Sequence, residues 1–194
     1  RGCPIDCEFC AASKVYGFKF RHKKVKQVIE EIRYILKLWG HKVLISFADD
    51  NMFIDKKYAV ELVKSLMDLN IRWLAQTDIS IGEDENFLKL IQKSGCSYLL
   101  VGFESVDRKG LQSLDRSNWK YRHSDNYVAI IKKVQSYGIG VLGAFILGLD
   151  AHTPAIFKQT GDFINKNHIF AAQLTILTPL PGTRLRERLE KEKR

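Results

Sequence analysis

Three cysteines open the chain. In RGCPIDCEFCAAS, residues 1–13, Cys3 and Cys7 are separated by three residues and Cys7 and Cys10 by two. A tightly curved loop of this length can turn three thiolates onto three corners of an iron–sulfur cube, and Gly2 and Pro4 suit the curvature. Disulfide pairing would leave one thiol over, so a metal or cluster in a reducing compartment is expected. Zinc competes, because sites of three cysteines and one histidine are common and His22 lies 12 residues after Cys10. Against zinc, its usual knuckle keeps two residues between cysteines, and His22 begins a lysine-rich helix, where a solvent-facing role is expected. Cys96 precedes a strand expected over 98–103, which puts it at the opposite rim as a small apolar filler. An open coordination position is therefore expected beside the three thiols.

The other residues able to do chemistry fall where strands should end. Asp49 and Asp50 follow the run 42–48, Thr77 and Asp78 end 72–77, Glu104 and Ser105 follow 98–103, Asp150 follows 140–147, and Thr178 and Pro179 follow 172–177. Each run is short and rich in apolar and β-favouring residues. Helical patterns separate them, at 56–69, 85–93 and 125–137, with a further helix opened by Thr153 as cap and Pro154 at its first position. Ahead of the first strand, Val25, Val28, Ile29, Ile32, Ile35, Leu36 and Trp39 recur at spacings of three and four, predicting one apolar helix face that Gly40 terminates. Residues 184–194 read as a last helix. Five strands separated by helices predict a parallel sheet with helical crossovers, and side chains gathered at one rim favour a barrel over an open doubly wound sheet. The plainer role for the acidic residues is capping of the helices that follow.

The 194 residues are 45% apolar and 27% charged, as expected of one globular domain and not of a disordered chain. Lys and Arg number 31 against 22 Asp and Glu, a formal charge of +9 that favours acidic partners. A basic run, Lys14, Lys19, Arg21, Lys23, Lys24 and Lys26, reads as a solvated helix face, a docking patch for an acidic reductant, or a weak nucleic-acid signal. Tyr16, Phe18 and Phe20 alternate once within it, as a flap over the site would. Trp119 and Tyr121 lie on a polar connection able to reach over the active face. No stretch approaches the roughly 20 apolar residues of a membrane span and no signal peptide is visible, so the cytoplasm is the expected location. The chain starts without Met and with no element before its cysteines, which suggests an excerpt from a longer protein.

The segment from Cys3 to Cys10 resembles the CxxxCxxC loop of the radical S-adenosylmethionine (radical SAM) superfamily, including the aromatic Phe9 before the last cysteine. The resemblance implies an α/β fold, a partial (β/α)6 TIM-like barrel of parallel strands, with residues 1–194 as a core domain truncated at both ends and lacking most or all of its first strand. It implies a 4Fe-4S cluster on Cys3, Cys7 and Cys10 whose unique iron chelates the amino and carboxylate groups of S-adenosylmethionine. Reductive cleavage to a 5′-deoxyadenosyl radical and hydrogen abstraction from substrate would follow. By the same resemblance Asp49 and Asp50 meet the ligand's amino end, Glu104 meets the ribose hydroxyls with Ser105 beside it, and Phe9, Ile146 and Gly148 surround adenine. Physical chemistry agrees with these roles: carboxylates pair with an ammonium and accept from hydroxyls, and a glycine lets backbone approach a flat base.

FADDNMF (47–53) and LTPLPGTRL (177–185) are most similar to radical enzymes that carry an amino-terminal cobalamin-binding domain. Such enzymes methylate unreactive carbons, or rearrange and cyclise small molecules. Cobalamin would then bind through a domain outside this chain, and a low-potential donor such as flavodoxin or ferredoxin would supply electrons. Methylthiotransferases acting on tRNA or protein are the adjacent reading. A non-catalytic iron–sulfur module for nucleic-acid binding or electron transfer is the reading from a different class.

Overall fold

Helical and strand periodicities alternate along the chain, and the elements follow them. The computed structural model describes residues 1–194 and contains, in order, α1 (Ala12–Tyr16), α2 (Val25–Trp39), β1 (Leu44–Ser46), α3 (Lys56–Leu66), β2 (Arg72–Thr77), α4 (Glu85–Lys93), β3 (Cys96–Glu104), α5 (Trp119–His123), α6 (Tyr127–Ser136), β4 (Gly140–Leu147), α7 (Ala155–Lys166), β5 (Ala171–Ile176) and α8 (Arg184–Lys191). Each strand pairs in parallel with the next, giving the order β1-β2-β3-β4-β5. This order contains no reversal, so right-handed crossovers place the connecting helices on one face, and the sheet curls as a half-barrel instead of winding both ways.

The two faces of the sheet differ. Trp73, Ala75, Leu99, Val101, Phe103, Val141 and Phe145 face the helices and are at most 1% exposed. Their alternating neighbours Leu74, Gln76, Leu100, Gly102, Leu142 and Ala144 are only half-buried, which leaves a concave face open toward the strand ends. The caps of α3 and α4 are Asp55 and Asp84, not the strand-end acids Asp49, Asp50 and Asp78, and they accept from Tyr58 N at 3.0 Å and Phe87 N at 2.8 Å.

Several boundaries shift for physical reasons. The run 42–48 contracts to the three residues of β1, although Phe47 N still donates to Leu74 O at 3.0 Å. The inward stripe of α2 is narrower than its apolar pattern: Val25, Ile29, Ile32 and Leu36 are buried, while Ile35 and Trp39 are 37% and 74% exposed. Residues 67–69 tighten into a 3-10 turn after α3, and 124–126 do so before α6. α7 starts at Ala155 with Pro154 itself at the N-cap and no side-chain cap bond, so neither Thr153 as cap nor Pro154 at the first position holds. By contrast Thr183 caps α8 by accepting from Arg186 N at 3.2 Å, and the helix stops at Lys191.

One buried bond fixes the end of the central strand. Pairing of β3 with β4 skips between Gly102 and Glu104, and at this bulge the Tyr127 hydroxyl donates to Phe103 O at 2.7 Å. Tyr127→Phe leaves that buried carbonyl without its donor and is expected to cost about 1–3 kcal/mol. Urea unfolding measures it; an unchanged midpoint would show that the carbonyl had found another partner.

Candidate active site

The cysteine loop has no regular structure of its own, and charge holds it. Asp6, in the left-handed region at φ 52, is buried at 6% exposure. The guanidinium of Arg116 lies against its carboxylate, and Arg184 Nε stands 3.4 Å away; both are charge contacts without hydrogen-bond geometry. Arg184 also donates to Asp6 O at 2.6 Å. Glu8 takes two bonds from Arg188, at 2.9 and 3.3 Å, and the same guanidinium reaches Asp150 at 2.7 Å. Backbone bonds add to the clamp: Leu185 N donates to Glu8 O at 3.0 Å, Glu8 N to Leu114 O at 2.8 Å, and Cys7 bridges Asp115. Bonds from Arg194 and Arg188 hold the Asp150 carboxyl below the usual carboxylate range. Asp150, at the rim as expected, is thus already engaged by this chain's own arginines.

Cys3, Cys7 and Cys10 are half-buried free thiols. Burial raises the thiol pKa of Cys3 and Cys10, with the charge of Asp50 adding to it, and pushes that of Cys7 up to about 12 against the opposing charge of Lys120. No three His, Cys, Asp or Glu side chains are arranged to hold a single metal ion. His22 stacks on Tyr58 at 3.8 Å and lies 3.7 Å from Asp55, joining α3 instead of the cysteine loop. Cys96 begins β3, at the strand end opposite Glu104, where it is buried and donates weakly to Tyr98 O at 3.5 Å. With His22 joined to α3 and Cys96 at the far strand end, the three soft sulfur donors stand without a fourth protein ligand, which suits an iron–sulfur cluster with an open coordination position better than structural zinc.

The charge opposing Cys7 belongs to Lys120, which the sequence did not single out. It is 4% exposed and donates to Glu104 Oε1 at 2.8 Å and Gly102 O at 3.2 Å. Burial alone would lower its pKa; the charge of Glu104 outweighs that and raises it. Asp115 positions it, accepting from Ser117 N, Ser117 Oγ, Trp119 N and Lys120 N at 2.7–3.1 Å and so starting α5. Glu104 itself has φ 64, a strained value for a residue with a side chain. Its Oε2 has no protein partner.

Glu104 lines a cavity of about 400 Å³ together with Phe9, Ile146, Gln173, Thr175 and Leu177. The structure therefore brings three of the expected residues, Phe9, Glu104 and Ile146, to one pocket, and adds Gln173 and Thr175 from β5. The acidic pair divides. Asp50 stands near Cys3 and Cys10, whereas Asp49 acts on Tyr58 of α3. Asn51, buried beside them, donates to Asp78 Oδ2 at 2.5 Å. These two line a second cavity of about 440 Å³ with Ile5, Phe53 and Trp119. Trp119 thus faces the cysteine loop as its connection suggested, while Tyr121 lies under Arg108 at 4.5 Å.

Ser105 and Gly148 do not line either cavity; they form a latch. His152 Nδ1 accepts from Gly148 N at 3.2 Å and Leu149 N at 3.3 Å, which leaves the ring proton on Nε2 to donate to Ser105 Oγ at 2.9 Å. The Ser105 hydroxyl in turn donates to Asp107 O at 3.0 Å. Gly148 is required by its φ of +93 and not by crowding, since an added Cβ would meet only Leu177, at 3.9 Å.

Residues 1–164 match the profile of the Radical SAM superfamily. The chain belongs to that superfamily. Among curated relatives of this radical SAM chain, the bacteriochlorophyllide d C-12(1)-methyltransferase of Chlorobaculum tepidum is 34% identical over 184 residues, which cover 94% of this chain and 40% of the relative. The hopanoid C-2 methylase of Rhodopseudomonas palustris is 28% identical over 204 residues, covering 100% and 37%. The chain thus spans about two-fifths of the length of these relatives. The fold matches TsrM of Kitasatospora setae, a radical S-adenosylmethionine methyltransferase with cobalamin and a [4Fe-4S] cluster bound, at a TM-score of 0.86 and 15% identity, over 98% of this chain and 38% of that one. No helix is long and apolar enough to cross a membrane.

The latch carries a pH dependence. Burial lowers the His152 pKa below its ordinary 6.5, with Asp107 opposing, so below about pH 6.5 the unfolded chain binds more protons than the folded one. The latch's contribution is complete above that pH and is lost as the pH falls. His152→Gln is expected to cost about 1 kcal/mol at pH 7.5 and less at pH 5.5. Urea unfolding at the two pH values measures the gap; a constant gap would deny the neutral latch.

Proposed function

We propose that residues 1–194 are the S-adenosylmethionine-cleaving core domain of a cobalamin-associated radical methyltransferase acting on a small-molecule substrate in the cytoplasm. The observation that carries this reading is the 400 Å³ cavity, which joins Phe9, Glu104 and Ile146 next to the three-thiol loop. The relatives supply the reaction class, since several are named methyltransferases or methylases. Cobalamin enters by analogy with TsrM and OxsB, whose structures contain it; nothing in residues 1–194 is assigned to hold it. A putative methylthiotransferase of Methanocaldococcus jannaschii, 24% identical over 196 residues, keeps sulfur insertion as the second reading.

Cys3, Cys7 and Cys10 would hold a 4Fe-4S cluster, which would supply the electron for reductive cleavage of the sulfonium carbon–sulfur bond. The chain's own residues bind, orient and shield. The carboxylate of Asp50 beside the thiols pairs with the ligand's ammonium, and Asp49 supports it from the α3 side. Glu104 offers its free Oε2 to ribose hydroxyls while Lys120 fixes its Oε1. Phe9, Ile146 and Leu177 present apolar surface to the adenine. Ser105 and Gly148 act through the His152 latch, holding the ends of β3 and β4 in register around the base. The largely apolar lining of the pocket limits the water that can reach the radical.

Two experiments follow on the full-length protein. Glu104→Gln is expected to weaken S-adenosylmethionine binding by about 10- to 150-fold, the loss of charge-assisted bonds worth roughly 1.5–3 kcal/mol. Glu104→Gln with Lys120→Met removes both charges and avoids a lone buried ammonium. If both variants keep their iron and sulfide and bind like the parent by calorimetry, the ribose assignment fails.

The reaction is tested with the reconstituted protein, dithionite, cobalamin and S-adenosylmethionine. Chromatography is expected to show 5′-deoxyadenosine and S-adenosylhomocysteine together. Changing Cys3, Cys7 or Cys10 to Ala should abolish the first product, and Cys96→Ala should spare it. Stoichiometric zinc without sulfide, or a loaded sample forming neither nucleoside, sinks the reading.

A further inference from the structure

Between Cys10 and Glu30 the chain carries six Lys or Arg and no Asp or Glu. The fold turns this run onto the cysteine loop. After α1 the chain reverses at Gly17, φ 79, and returns so that Arg21 N donates to Arg1 O at 2.8 Å and the backbone nitrogen of Arg1 to Arg21 O at 2.5 Å. Packing is so close that a Cβ on Gly2 would lie 2.4 Å from Lys19 O. Residues 17–21 therefore run beside Cys3, and α1 leads directly away from Cys10.

The cations on this face are free. Ion pairs in the segment involve only His22, Lys23 and Lys26, so Lys14, Lys19 and Arg21 are exposed with no carboxylate within 4 Å. Val15 and Phe18 are 69% and 47% exposed in their midst. A small apolar centre rimmed by unpaired positive charge is suited to a brief, electrostatically steered encounter with an acidic protein. Nucleic acid fits less well, because single strands need several stacking platforms. Arg1 covers Tyr16 at 5.0 Å and Phe20 packs against His22 at 5.9 Å, which leaves Phe18 as the one uncovered ring of the three.

We propose that α1 and residues 17–21 form the docking surface for an acidic, low-potential one-electron carrier protein. The proposal rests on the function proposed above, which requires an electron from outside the chain. The transfer makes and breaks no bond: the carrier loses one electron and the centre held by Cys3, Cys7 and Cys10 gains it.

The test uses the full-length, cluster-loaded protein and flavodoxin as the probe. Lys14→Glu, Lys19→Glu and Arg21→Glu together are expected to weaken flavodoxin binding by about tenfold or more at low salt and to flatten its salt dependence. Dithionite-driven 5′-deoxyadenosine formation should not change. Phe18→Ser should weaken binding while preserving the salt dependence. Charge reversal at the exposed Lys37, Lys64 and Lys132 on the outer helices is the control for net charge alone. Equal losses in control and patch variants, or unchanged binding in the patch variant, overturn the proposal. So does an RNA oligonucleotide that loses its binding to the patch variant while flavodoxin does not. Failure of the parent to cleave S-adenosylmethionine with dithionite counts against the reaction and leaves the docking result readable by binding.

Discussion

Three arginines on two carboxylates hold the part of the chain on which the site depends. The loop carrying the three thiols forms neither helix nor strand, and within it Asp6 takes a left-handed backbone. Asp6 and Glu8 anchor it to Arg116, Arg184 and Arg188. Ion pairs of this kind, with the Arg188 bonds to Glu8 among them, tolerate the irregular backbone that a ladder would not. Arg188 joins the cysteine loop, the end of β4 at Asp150 and α8, so a single side chain near one end of the sequence shapes a loop near the other. The arginines also offset negative charge where three thiolates would add more.

The Glu104–Lys120 pair works differently. Both groups are nearly out of water, and a buried ion pair contributes little net stability because desolvation offsets attraction. Its value is geometric. The bulge, the left-handed Glu104 and the Tyr127 hydroxyl together turn one carboxylate out of the β ladder, and Lys120 then anchors it through Oε1. Strain at this strand end is the expected cost of presenting a charged group to a ligand.

Patterns with a local period were legible in the sequence. Strands 72–77 and 140–147 and helix 85–93 occur at their expected bounds because alternation or helical spacing is unbroken over each of them. Glu104, Phe9 and Ile146 could be found from their strand-end or loop positions. Lys120 could not, since its partner lies 16 residues away across an irregular connection; nor could the Asn51–Asp78 bond or the Ser105–His152 latch, which span 27 and 47 residues. Asp6 and Glu8 were visible as letters inside the motif, but nothing local announces that arginines from residues 116–188 will meet them. The rim carboxylates look alike in sequence, and only the fold separates Asp150, engaged by arginines, from Glu104, with one oxygen left open.

The cavity has one soft wall. β5 pairs with β4 on one side only, all six of its residues are exposed, and it contributes Gln173 and Thr175 to the pocket. Within residues 1–194, a strand with so few buried contacts opens at lower free energy than the core strands. A molecule seated between Ile146 and Leu177 holds that edge in place, so whatever it gains in affinity is shared with the closing of β5. Tightness of binding and resistance of the edge to opening are then two readings of one equilibrium.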